Sequence, residues 1–214
     1  MTDKNVLLIL GGSWHDFEGF AASLTPELES AGYAVHPTYD LGELTRLGEL
    51  RPDVVMLYTC FGSAEPGKAP PVGPNETQVA ALSHWVRGGG GLVAVHAATA
   101  IASADPALGR LLGGVFQSHP PQFTFTVCPL YRGHPITDGV DAFSVRDEFY
   151  VQDYDANVEV HMMAVDRGIA YPMVWSKAEG AGRVAHIAMG HGPQVWALPP
   201  YRRLVLQAAH WATR

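Results

Sequence analysis

Along the chain, Val6-Leu7-Leu8-Ile9-Leu10 is an unbroken apolar run closed by Gly11-Gly12. A strand that is apolar at every position, rather than at every second one, is covered on both faces, as in a parallel sheet. The run therefore predicts a first central strand. Phe17 to Ala31 reads as a helix stopped by Gly32, and Tyr33 to Thr38 as a second strand, so the chain opens with a βαβ unit. Asp53 to Tyr58 supplies another buried strand, followed by a Pro/Gly-rich stretch from Phe61 to Pro74. Asn75 is placed to cap a helix over Glu76 to Arg87, in which Val79, Leu82 and Val86 recur at helical spacing and which Gly88 to Gly91 terminate. Gly91 to Val95 is a fourth strand, and it ends abruptly at His96.

Beyond this point the alternation of strand and helix loosens. Phe123 to Val127, Phe143 to Tyr150, Val158 to Val165 and Pro172 to Trp175 each read as strands, with room for antiparallel pairing. Asp105-Pro106 looks like a helix start and Thr137-Asp138-Gly139 like a turn. Arg183 to Met189 makes a last buried strand, Gly190-His191-Gly192 a turn, and Tyr201 to Trp211 a closing helix.

Composition narrows the class. With 214 residues, 47% of them hydrophobic, one large α/β domain is more economical than two small ones. Lys and Arg number 14 against 21 Asp and Glu, and the net charge of −7 offers no overall attraction to nucleic acid or to an anionic membrane. Cys60 and Cys128 form neither a disulfide framework nor a thiolate metal knuckle. Val6 to Leu10 is too short for a signal-peptide core or a membrane span, so a cytoplasmic location is expected. No segment marks an apolar edge, which leaves a homo-oligomer open.

In open α/β sheets the ligand crevice lies beyond the carboxyl ends of the strands. Histidines recur there: His15 follows the first strand, His96 ends the fourth and His191 follows the last. Gly88 to Thr99 resembles a strand running into a sharp elbow with His96 at its apex. An elbow normally exposes a Ser or Cys nucleophile beside oxyanion donors, whereas an imidazole suits acid, base or metal-ligand duty. Cys60 also ends a strand, but nothing beside it in sequence marks it as activated, and a small buried residue is its simpler role. His36, His84, His161, His186 and His210 fall inside strands or helices and are assigned to structure or surface.

The residues Gly89 to Thr99, then Leu111 to Phe116 with Ser118-His119-Pro120, then His134-Pro135-Ile136-Thr137 and Asp147-Glu148-Phe149-Tyr150, follow one another in an order that resembles the trehalose-utilisation (ThuA-like) family. His15 to Glu18, Gly182-Arg183-Val184 and Gly190-His191 fit the same series, so the resemblance covers nearly the whole chain. It implies a single ThuA-like domain over residues 1–214. The implied fold is an α/β three-layer sandwich with a central, mostly parallel sheet, class I glutamine amidotransferase-like with flavodoxin-like topology, plus some antiparallel strands in the second half. It also implies a setting in sugar catabolism, with trehalose and related disaccharides as substrates. Against the wider amidotransferase pattern, His96 stands where the nucleophilic Cys would be and His191 where the catalytic His is expected. Glutamine-dependent ammonia release is therefore disfavoured.

Two chemistries stay open for the histidines. In one, Glu148 and two or three of His96, His119, His15 and His191 bind a divalent metal, their nitrogen and oxygen donors matching Zn²⁺, Mn²⁺ or Fe²⁺; the first choice of ligands is His96, His119 and Glu148. In the other, His96 or His191 is a general base and Glu148 a general acid in isomerisation, elimination or hydrolysis at a keto-sugar. His96, Glu148 and His191 are the catalytic candidates, and Trp14, His15 and Tyr150 the substrate-binding ones. Asp147 reads equally well as a site residue and as a solvated strand end or helix cap. The rival to an enzyme is a non-catalytic sugar-binding or regulatory protein that kept the cleft and lost the nucleophile.

Overall fold

The computed structural model describes residues 4–101, 106–130 and 133–213. Its elements, in chain order, are β1 (Lys4–Gly12), α1 (Phe17–Ser30), β2 (Tyr33–Thr38), α2 (Leu47–Leu50), β3 (Val54–Cys60), α3 (Glu76–Arg87), β4 (Gly91–Val95), α4 (Pro106–Leu112), β5 (Gly114–Ser118) and β6 (Phe123–Pro129). These are followed by β7 (Phe143–Asp147), β8 (Val151–Tyr154), β9 (Glu159–Asp166), β10 (Ile169–Glu179), β11 (Gly182–Ile187), α5 (Pro193–Trp196) and α6 (Pro199–Ala212). Asp105 lies outside the described residues, and α4 runs from Pro106.

Alternate side chains of a strand point to opposite faces of the sheet. In β1, Val6, Leu8 and Leu10 pack with Phe20, Leu24 and Leu28 of α1 and with Leu204, Val205 and Ala208 of α6. Leu7 and Ile9, on the other face, pack with Val79, Leu82 and Val86 of α3 and Leu108, Leu111 and Leu112 of α4. The unbroken apolar run thus has its cause: both faces are covered by helices. Local chemistry fixes where those helices begin. The Asp16 carboxylate accepts from Gly19 N at 2.8 Å to start α1, and Asn75 and Gln78 exchange bonds of 3.0 and 2.8 Å in a capping box at α3.

One nine-stranded sheet runs β2-β1-β3-β4-β11-β10-β9-β6-β7. The pairs from β2 through β11 are parallel, and those from β11 through β7 antiparallel. β5 and β8 form a separate antiparallel pair. Among the described residues no helix is long and apolar enough to cross a membrane.

The expected strand Phe143 to Tyr150 stops three residues short, at Asp147, and the next strand, β8, belongs to the other sheet. β7 ends at Asp147, whose buried carboxylate is held by backbone N–H groups from the turn after β11. Phe149 then drops into the core against Phe123 and Phe125, at ring-centroid separations of 5.5 and 4.9 Å. That breaks the two-residue alternation, and pairing resumes only at Val151, with β5, a strand the sequence pattern does not reveal. The small sheet is tied to the large one through Gln152 of β8, which accepts from Thr99 Oγ1 at 2.7 Å and lies 3.2 Å from His186 Nε2 of β11.

His186 is fully buried, and desolvation, with the neighbouring charge of His96 adding to it, holds its imidazole down to about 3. In the unfolded chain a histidine titrates near 6.5. Below that pH the unfolded state takes up a proton that the folded state refuses, so this group's contribution to stability is complete above 6.5 and is lost progressively as the pH falls towards about 3. In denaturant titrations from about pH 7 to about pH 5, wild type should lose up to ~1.4 kcal/mol more per pH unit than His186→Gln. Equal slopes would contradict this assignment.

Candidate functional site

The parallel strands deliver their last residues to one edge. At the end of β1, Ser13 N donates to Cys60 O of β3 at 3.0 Å. Gly12 sits there at φ +119°, and a Cβ on it would stand 2.0 Å from that same carbonyl oxygen, so only glycine allows the two strand ends to close. The chain then passes through Trp14, at φ +71°, to His15. β4 ends at His96, at φ +49°, which is the sharp elbow expected from the sequence. Non-glycine residues in this region of φ store on the order of 1 kcal/mol each, and two of the four among the described residues face this edge.

The turn after β11 completes the group. Gly190 adopts φ +140°; a Cβ there would lie 2.7 Å from Tyr201 Oη and 3.2 Å from the His96 Cβ. The turn is pinned from three directions. Asp147 accepts from Gly190 N at 2.7 Å and His191 N at 3.2 Å, while the Gly190 carbonyl accepts from Tyr58 Oη at 2.9 Å and Trp196 Nε1 at 2.7 Å. Asp147 is therefore neither solvated nor a helix cap. Burial raises its carboxyl, and the charge of His96 and the bonds from Gly190 work against that rise.

Glu148, the next residue, turns into the space between the imidazoles. Its Oε2 lies 3.4 Å from His96 Nε2 and 3.2 Å from His191 Nδ1, and its Oε1 lies 3.6 Å from His119 Nε2. The rings of His15, His96 and His191 form a triangle with centroid separations of 5.0, 4.8 and 5.7 Å. One donor atom from each of His15, His96, Glu148 and His191 lies within 4.8 Å of the others, which makes these four the residues able to hold a metal ion. The sequence places His119 with His96 and Glu148; in the structure it stands at the outer carboxylate oxygen, outside this group of four.

Burial alone would raise the Glu148 carboxyl, but His191 and His96 outweigh it and hold the group well below the ordinary carboxylate range. Desolvation lowers the His191 imidazole, yet Glu148 more than compensates and the net shift is upward. His15, with desolvation dominant and the charge of His96 next, is pressed down to about 3. The pair is thus shifted in opposite senses, the Glu148 carboxyl towards its anion and the His191 imidazole towards its cation. Burial pushes the Cys60 thiol up to about 11, so it stays a thiol.

His15, Cys60, His119, Glu148 and His191 line a cleft of about 690 Å³ together with Trp14, Ile101, Phe116, Gln117 and Tyr150, while His96 is fully buried and is not part of that lining. Trp14 is 47% exposed at the rim, with its Nε1 3.1 Å from Ser63 Oγ. Tyr150 is buried, and its ring stacks on His96 at 4.2 Å and His119 at 5.8 Å. Sequence reasoning missed Phe116 and Gln117, because β5 pairs only with a strand whose own start is hidden by the break at Asp147. It also missed the anchoring role of Asp147. A separate cavity of about 610 Å³ opens between α3 and α4 around the Lys177–Glu179 pair, with none of these imidazoles.

Asp147→Ala would strip one buried and one part-buried N–H group of their acceptor, at a cost of about 2–3 kcal/mol. Tyr58→Phe leaves Gly190 O its bond from Trp196 and keeps the Phe20 stack, and should cost about 1 kcal/mol. Urea denaturation of both variants reads the order directly, and the reverse order would refute the account of the turn.

The comparisons with known proteins bear on the fold and the family. The chain superposes on a putative ThuA-like protein from Parabacteroides merdae with a TM-score of 0.80 at 20% identity, covering 99% of this chain and 90% of that one. A protein from Salmonella typhimurium LT2 described as cytoplasmic matches with a TM-score of 0.70 at 14% identity, over 98% of this chain and 100% of that one. A β-galactosidase from Rahnella sp. R3 matches with a TM-score of 0.64 at 15% identity, over 99% of this chain but 31% of that one. At these identities the likeness is one of fold. No curated protein matches the sequence. The profile of the family described as trehalose utilisation matches residues 12–212, and the chain belongs to that family, ThuA.

Proposed function

We propose that this protein is a carbohydrate-processing enzyme of trehalose or disaccharide utilisation that acts on a sugar or keto-sugar through His96, Glu148 and His191. The observation that carries the reading is the convergence of one ionised carboxylate and several imidazoles at the floor of a cleft walled by aromatic rings. Aromatic faces suit the C–H faces of a sugar ring, and Trp14, His15 and Tyr150 are the binding residues in this reading. In direct proton transfer, His191, whose imidazole is raised, donates to a departing oxygen, and the Glu148 anion holds or deprotonates a hydroxyl. Cys60, kept as a thiol, takes no nucleophilic part, which sets this chain apart from a glutamine amidotransferase. The family description supports the sugar setting. The two core clusters on either side of the sheet support a three-layer, amidotransferase-like arrangement forming one ThuA-like domain over residues 1–214.

The other reading, a sugar-binding or regulatory protein, keeps the same cleft without turnover. The two part in one assay. Wild type and His96→Ala are incubated with a panel of disaccharides and keto-disaccharides, and products are followed by mass spectrometry alongside thermal denaturation with and without each sugar. An enzyme converts at least one sugar, and His96→Ala loses at least about 100-fold in rate while still unfolding cooperatively. Sugar-dependent stabilisation of wild type without any product would replace the enzyme with the binder.

A further inference from the structure

Three of the imidazoles, those of His96, His15 and His119, have one ring nitrogen already committed. His96 Nδ1 lies 2.7 Å from Ala188 O, His15 Nδ1 lies 3.0 Å from Ser13 O, and His119 Nδ1 lies 2.9 Å from Pro120 O. A carbonyl oxygen only accepts, so all three nitrogens carry the proton and donate it. In the neutral ring the opposite nitrogen, Nε2, then presents a lone pair. The Nε2 atoms of His15 and His96 are buried without a hydrogen-bond partner, as is Nδ1 of His191, and the side chain of His96 is fully buried.

Two of these nitrogens face one carboxylate at ion-pair distance. His96 Nε2 and His191 Nδ1 look at the same carboxylate oxygen of Glu148, from 3.4 and 3.2 Å, and neither is aligned with it as a hydrogen bond. Protonating all three rings would pack three cations, with centroids 4.8 to 5.7 Å apart, around one anion. A backbone carbonyl that holds the far N–H of a histidine, fixing its tautomer and ring plane, is the usual outer support of a metal-binding imidazole. His15 and His96 both have it.

We propose that His15, His96, Glu148 and His191 form a binding site for one divalent first-row transition-metal ion, such as Zn²⁺, Mn²⁺ or Fe²⁺, at the floor of the cleft. The donor set of three imidazoles and one carboxylate is that of borderline ions rather than of Mg²⁺ or Ca²⁺. Bonds of about 2.1 Å place tetrahedral ligands ~3.4 Å apart, so donors within 4.8 Å of one another close around an ion by small side-chain movements. The four residues come from three strand ends and from the crossing between the sheets, which leaves the side towards the 690 Å³ cleft open for a water or a substrate oxygen. The ion would supply Lewis-acid polarisation of that oxygen. His119 stands on the outer oxygen of Glu148, 3.6 Å away, beside the group of four rather than in it.

This inference rests on the cluster being the working site, as proposed above, but it is tested without any sugar. Protein stripped with a chelator is titrated with Co²⁺ and with Zn²⁺, following cobalt absorption and, after gel filtration, elemental analysis. Expected are one ion per chain, visible cobalt bands without thiolate charge-transfer absorption, and an affinity reduced at least 10-fold in His15→Gln and in Glu148→Gln. Circular dichroism of the stripped variants checks that each still folds, and His15→Gln, altering a loop residue, serves if Glu148→Gln does not. A second group, His134, Glu159 and His161, also brings metal-ligating side chains together, so His134→Gln is the control and should retain the ion. No saturable ion in wild type overturns the proposal. So does an ion kept by His15→Gln and Glu148→Gln but lost in His134→Gln. Stoichiometric metal with no sugar turned over would leave the metal site standing and remove the enzyme reading instead.

Discussion

The arrangement of the site depends on one buried carboxylate. Asp147 binds the backbone of Gly190 and His191 and so joins the crossing between the two sheets to the turn after β11. Because Glu148 is its neighbour in sequence, this one attachment sets Glu148 opposite His191 and, across the tight passage at Gly190, opposite His96. A carboxylate that accepts two N–H bonds in a dry environment has little freedom to move. Tyr58 and Trp196 donate to the Gly190 carbonyl from the other side, and the whole corner is packed by the Phe20–Tyr58 stack at 3.8 Å.

Strain and polarity gather where this corner meets the cleft. His96 and Trp14 hold left-handed backbone conformations, tolerated because well-packed strands on either side leave them no alternative. Three rings direct unpartnered nitrogens at a shared space and an anion that two of them depress. Such a constellation is expensive for folding alone, since buried polar groups are normally satisfied. Its persistence on the loaded edge of an α/β sheet, beside a walled cavity, is what a ligand-using site requires. The elbow that elsewhere presents a nucleophile here presents an imidazole, with the one nearby thiol kept protonated by burial.

Much of this was legible in the chain. Continuous apolar runs predict β1, β3 and β4 because two-sided burial leaves no polar position to alternate with. The capping residues Asn75 and Gln78 mark the start of α3, because a helix must satisfy its own first N–H groups from nearby side chains. Histidines placed just after strands were recognisable as candidates, because parallel topology sends every such residue to the same edge. The ordered motifs likewise pointed to the ThuA family, as its profile over residues 12–212 shows.

The sequence by itself thus determined the strands and long helices of the parallel half, the family and the edge at which chemistry would gather. Only the tertiary structure decided which side chains meet. Asp147 reaches a turn that starts 43 residues further on, His96 donates to a carbonyl 92 residues away, and His15 rather than His119 joins the tight group. The break after Asp147 was hidden for the same reason: Phe143 to Tyr150 has a strand's local composition, and only a distant backbone captures the carboxylate that ends it. Periodicity records which face of an element is dry, whereas the partner of a polar atom is set by how the elements pack.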